Sequence, residues 1–142
     1  MTTPHASPQS LLSIRRLLLV DAAVSGATGV LMAAAAPMFQ TMFDLPAPVV
    51  RSAGLALLPF AALVVYFART EQVSRGQVRS VIVMNAAWVA ASVLVLVGGW
   101  IAPNTLGIAF VLVQALVVAG LAELQYTALR RTGRDARVLA SA

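Results

Sequence analysis

Four apolar runs dominate this chain: Leu17 to Met38, Ser52 to Ala68, Val81 to Ile101 and Leu106 to Tyr126, each flanked by Arg, Pro or polar turn residues. At 1.5 Å per residue, a helix over each run is about long enough to cross the roughly 30 Å of bilayer hydrocarbon. The pattern predicts an all-α integral membrane four-helix bundle with up-down-up-down connectivity. Its spans fall at about 17–38, 52–68, 81–101 and 106–126 within a domain covering 11–131. Residues 1–10, rich in Pro, Ser and Thr, read as a flexible cytoplasmic tail, and 132–142 as a second one. Between the first two runs, Pro37 and Pro46 bracket Phe39, Met42, Phe43 and Leu45, whose spacing predicts a short helix with one apolar face on the membrane surface. Pro103 and Asn104 predict a tight turn between the last two spans, with Trp100 at the depth of an aromatic belt. Pro59, in mid-span, predicts a kink in the second spanning helix.

The third run aligns on the first. Leu18-Leu19-Val20-Asp21-Ala22-Ala23 matches Ile82-Val83-Met84-Asn85-Ala86-Ala87, and the second and fourth spans pair Tyr66 with Tyr126. Such a match suggests two helix hairpins related by an axis along the membrane normal, a parallel 2+2 repeat in which Asp21 and Asn85 are equivalent. Chance alignment of small-residue helices is the competing explanation. Ala22, Gly26 and Gly29 form a patch of small residues suited to close helix packing.

Composition narrows the class. The chain is 60% hydrophobic and 11% charged, which leaves too little polar surface to cover a soluble globule of this size. The net charge of +5 comes from Arg residues flanking the apolar runs, not from a water-facing basic patch with stacking aromatics, so nucleic acid is not an expected partner. Arg15 and Arg16 precede the first span, Arg69, Arg75 and Arg79 lie between the second and third, and Arg130, Arg131, Arg134 and Arg137 follow the fourth; Arg51 is on the other side. Positively charged short loops stay cytoplasmic, so both termini are expected inside. The first run is too long for the apolar core of a cleaved signal and is expected to remain as a spanning helix.

The candidate chemistry is a polar layer inside the membrane. An ionisable residue costs roughly 2.5–3.5 kcal/mol at the bilayer centre on insertion scales, which makes Asp21 and Glu123 the leading functional candidates. Counting at 1.5 Å per residue, Asp21 lies roughly 8 Å in from Arg16, Asn85 roughly 9 Å in from Arg79 and Glu123 roughly 10 Å in from Arg130. Ser25 and Trp88 fall about a turn deeper and Tyr66 a turn shallower. Asp21, Ser25, Thr28 and Met32 share one helical stripe, as do Asn85, Trp88 and Ser92. On the fourth span, Glu123 and Gln114 fall on opposite faces while Gln114 and Gln125 nearly eclipse. The expected arrangement turns Glu123 inward and leaves Gln114 and Gln125 for a neighbouring helix or a second subunit; the reverse assignment remains open. No Arg lies one helical turn from Asp21, so its partner must come from another helix: Asn85 first, joined by Arg79 or Arg130 reaching inward.

Several chemistries lack their residues. There is no Cys, and the one His, His5, lies in the tail, so thiol redox chemistry, a thiolate metal site and paired-His haem ligation are excluded. Catalytic and phosphate-binding motifs are absent, and neither enzyme activity nor a cofactor is expected. The segments LLLVDAAVSGATG (Leu17 to Gly29), NAAWVAAS (Asn85 to Ser92) and LGIAFVLVQALVVAGLAELQYTALRR (Leu106 to Arg131) resemble a group of uncharacterised small four-helix bacterial integral membrane proteins. The resemblance implies an inner-membrane location and brings no assigned residue role. In size the chain is also similar to small multidrug exporters, but those are about evenly charged and of dual topology, whereas Arg here is one-sided. Two readings follow. One is a non-enzymatic scaffold or accessory subunit whose polar layer holds the helices in register, with the lipid bilayer and a membrane protein or second copy as partners. The other is a small oligomeric proton-coupled transporter or permease using Asp21 or Glu123.

Overall fold

The computed structural model describes residues 8–140, with side chains placed for residues 13–133. It contains α1 (Pro8–Ala34), α2 (Ala36–Phe43), α3 (Ala47–Arg69), α4 (Arg75–Val97) and α5 (Thr105–Ala140), and no strand among the described residues. Four segments are long and apolar enough to cross a membrane: Ser13–Ala34, Ala47–Arg69, Arg75–Val97 and Thr105–Gly133. Much of their surface is apolar and exposed, including Val83, Val97, Leu106 and Leu116, as expected where lipid is the solvent. The chain is a multi-pass membrane protein by this criterion.

Element boundaries depart from the hydropathy pattern where backbone chemistry intervenes. The first run was expected to continue to Met38, but α1 stops at Ala34 and α2 restarts with Pro37 in its first turn. Proline lacks the N–H that a continuing helix needs yet fits a first turn, so the chain breaks and begins again there. α5 continues to Ala140, through most of the expected tail from 132. The expected N-terminal tail and His5 lie outside the described residues as far as residue 7, and α1 already includes Pro8–Ser10. α3 runs unbroken through Pro59, which sits on the exposed face. At the start of α4, Ser74 forms a capping box: its Oγ accepts from the Gln77 N–H at 3.1 Å, and Gln77 Oε1 accepts from the Ser74 N–H at 2.8 Å.

α1 packs most extensively on α3, α4 on α5, and α1 also joins α5. The α1–α3 seam is close because glycines meet across it. A Cβ on Gly54 would lie 2.6 Å from Ala33 N and 2.7 Å from Gly29 O, and one on Gly29 would lie 2.9 Å from Gly54 O. Only residues without side chains allow the two backbones to approach this far. At one end of the molecule, the Arg15 guanidinium donates at 2.5 Å to the carbonyls of Thr70 and Glu71, closing α1 onto the end of α3. Arg75 donates to Leu129 O at 3.4 Å at the same end.

At the opposite end, the apolar face of α2 turns inward, a correction to the membrane-surface placement expected for it. Phe39 and Leu45 are buried, and Phe39 meets Phe43 and Phe110 edge-on at ring-centre distances of 5.4 and 5.0 Å. Phe43 stacks on Phe110 at 5.6 Å. The aromatic partner supplied by α5 gives this face a better contact than loose lipid chains. Asn104 fixes the junction: its Nδ2 donates to Met42 O at 2.9 Å while its Oδ1 caps α5 by accepting from the Gly107 N–H at 3.0 Å.

The seam yields a paired test. Gly54→Ala forces a methyl into backbone and should cost about 1–3 kcal/mol, read as a lower unfolding temperature in detergent. Gly26→Ala, whose new Cβ would meet Ala61 Cβ at an ordinary 3.5 Å, should leave that temperature unchanged or raise it. Equal effects of the two would contradict the backbone contact at Gly54.

Candidate functional site: a carboxylate held by three helices

Asp21 is fully buried, between two apolar clusters. One cluster, toward the Arg15 end, contains Leu18, Val64, Val81 and Leu129; the other, toward α2, contains Met32, Phe39, Leu57 and Val111. Three side chains donate into the carboxylate. Ser25, one turn along α1, donates to Oδ1 at 3.2 Å. Asn85 on α4 and Gln125 on α5 each donate to Oδ2 at 2.7 Å. Asn85 is 2% exposed and Gln125 1%, so the whole group is shielded. A carboxylate offers about four acceptor sites, and here amide and hydroxyl donors from three helices converge on it. Burial of a polar group is costly unless it is hydrogen-bonded, and these three donations meet that need.

Asp21, Ser25 and Asn85 are thus brought together. Gln125 joins them, and Glu123 does not: Glu123 lies on the exposed face of α5, the reverse of the orientation expected from the sequence. Two residues along a helix turn about 200°, so one of the pair must face away. Gln125 is the one that turns inward, and its amide N–H donates to Asp21. Helical spacing separates Glu123 from Gln125 onto different faces of α5 but carries no signal for which of the two faces turns inward. Gln114, on the same stripe, is partly buried and lines internal clefts.

The remaining candidates lie apart from the cluster. Tyr66 is 65% exposed and packs on Phe67, so it is not part of the layer. Asp21 receives Asn85, the partner expected first, while Arg79 is exposed and Arg130 lies over the Tyr126 ring at 5.6 Å, so neither Arg named as a further partner reaches it. Trp88 lies on the inward side of α4 about a turn beyond Asn85, and its Nε1 is buried without a hydrogen-bond partner; Gln125 Oε1 is likewise unpaired. Among the described residues, no three His, Cys, Asp or Glu side chains are grouped to hold a metal ion. No protein-family model, characterised protein or solved structure matches the chain.

Interhelical hydrogen bonds in membranes are worth about 0.6 kcal/mol on average and up to about 1.7. Asn85→Leu and Gln125→Leu should each lower stability by about that amount in detergent unfolding, while Glu123→Gln should leave it unchanged. A Glu123→Gln variant less stable than Gln125→Leu would overturn the observed orientation of α5.

Proposed function

We propose that this chain is a non-enzymatic scaffold or accessory subunit of the bacterial inner membrane: a four-helix, up-down-up-down bundle with both termini in the cytoplasm. The Asp21 cluster is the observation that carries the reading. All three of its contacts join protein groups, and they tie α1 to α4 and α5, as a clamp that fixes helix register requires. The proposed orientation rests on the one-sided Arg distribution. Contact between Asp21 and its repeat equivalent Asn85, together with the α1–α3 and α4–α5 pairings, favours the parallel 2+2 repeat. A small proton-coupled carrier using Asp21 is the second reading, favoured by a cleft of about 190 Å³ that reaches Ser25 and Asn85.

Substitution at Asp21 separates the two. In Asp21→Asn, an amide N–H₂ meets the donors of Asn85 and Gln125, so a clamp should lose thermal stability in detergent by about 1–3 kcal/mol. The wild-type protein in liposomes under a pH gradient should then pass no more protons than empty liposomes. An Asp21-dependent proton flux, with the fold of Asp21→Asn intact, would replace the scaffold reading with the carrier.

Topology is tested separately, and the absence of native cysteine gives a clean background. A membrane-impermeant thiol reagent applied to intact cells should label Asp44→Cys and not Ser74→Cys. The opposite pattern would invert the proposed orientation.

A further inference from the structure

Exposed guanidiniums gather at the end of the molecule where Arg15 closes α1 onto the chain after α3. Arg16, Arg69, Arg75, Arg79, Arg130 and Arg131 are all exposed there. Among the described residues, none of them forms an ion pair, and Glu71 is the one acid at their level. Beyond Gly133 the sequence adds Arg134 and Arg137 against Asp135. On the α4–α5 side, two of these groups are held in place. The Arg75 guanidinium donates to Leu129 O and lies against Gly133, where an added Cβ would meet Nη2 and come within 2.8 Å of Nη1 and 3.0 Å of Cζ. Glycine leaves the guanidinium that room. Arg130 lies over the Tyr126 ring. At about 100° per residue, Tyr126, Leu129, Arg130 and Gly133 share one stripe of α5, while Arg131 falls on another side. Arg79 is one turn along α4 from Arg75, on the same face.

Their level is that of the lipid headgroups. The segment Thr105–Gly133 has 29 residues, roughly 43 Å as a helix, against about 30 Å of hydrocarbon and about 40–45 Å with the headgroup layers included. Tyr66 and Tyr126, 65% and 48% exposed, mark the same interface from α3 and α5. At that level a guanidinium meets phosphodiester oxygens, which its fork of N–H donors matches. Arg75 gives one donor to Leu129 and keeps others free, and a guanidinium already held by the protein loses less freedom on binding. A zwitterionic lipid brings its own cation to such a group of charges; an anionic one does not. We propose that Arg75, Arg79 and Arg130 form a site on the α4–α5 face for the headgroup of an anionic phospholipid. Basic grooves between spanning helices bind such headgroups in general. The site is independent of which side of the membrane this end faces and of whether Asp21 acts as a clamp.

The test titrates phosphatidylglycerol into the full chain in neutral detergent. The unfolding temperature should rise saturably, and neither phosphatidylcholine with the same acyl chains nor inorganic phosphate should raise it. Arg75→Gln and Arg130→Gln should each weaken the apparent phosphatidylglycerol affinity by about fivefold, the scale of one Arg at an anionic lipid surface, and Arg79→Gln should act in the same direction. Arg16→Gln and Arg131→Gln remove the same charge from other faces and should leave the affinity within about twofold. Gly133→Ala pushes only the flexible end of Arg75, so it should reproduce part of the Arg75→Gln loss while the lipid-free unfolding temperature stays unchanged. Equal losses from every Arg variant would mean diffuse attraction without a site and would overturn the proposal. So would a phosphatidylcholine response of the same size, or a rise produced by inorganic phosphate alone, since the ligand would then be free phosphate. If Arg75→Gln does not fold, Arg130→Gln set against Arg131→Gln, its neighbour in sequence, decides the question.

Discussion

A single carboxyl group inside hydrocarbon organises this protein. Asp21 is fully buried, and three donors reach it from the chain itself. Ser25 alone would leave Oδ2 unmet; Asn85 and Gln125 complete the set from α4 and α5. The requirement is directional, unlike apolar packing, which tolerates sliding and rotation among helices of similar surface. It therefore sets which faces of α4 and α5 turn inward and at what level they meet α1.

Around that fixed point, stability is shared between close backbone contact and end closure. Lipid chains are as apolar as leucine, so burying Leu or Val between helices gives little net drive in a membrane, and tight van der Waals fit matters more. The Gly29–Gly54 approach supplies it for α1 and α3. At one end the Arg15 guanidinium holds the chain after α3, and at the other the Phe39, Phe43 and Phe110 rings hold α2 against α5. α3 and α4 pack little on each other, and clefts lie between them. The Asp21 cluster and the clefts at Trp88 sit about one helical turn apart on α4.

The unpaired Gln125 Oε1 and Trp88 Nε1 have different standing. The Gln125 amide spends its N–H on Asp21, and its idle oxygen is a cost incurred for that contact. Trp88 has no such return from its N–H, so the cost of burying it is not offset by any hydrogen bond within the described chain.

The existence of four apolar segments long enough to span, the one-sided Arg pattern and the stripe joining Asp21 to Ser25 were legible in the sequence, because they depend on neighbours along the chain or within a turn or two. Proline placed the break after α1, though hydropathy alone ran past it. The inward orientation of Gln125 and outward orientation of Glu123 were decided only by tertiary structure, as was the turning of α2 into the molecule. Helical spacing assigns residues to faces but does not say which face meets another helix. The partner of Gln125 is 104 positions away, and only the assembled helices show that Asp21 there needs a donor and not a second acid.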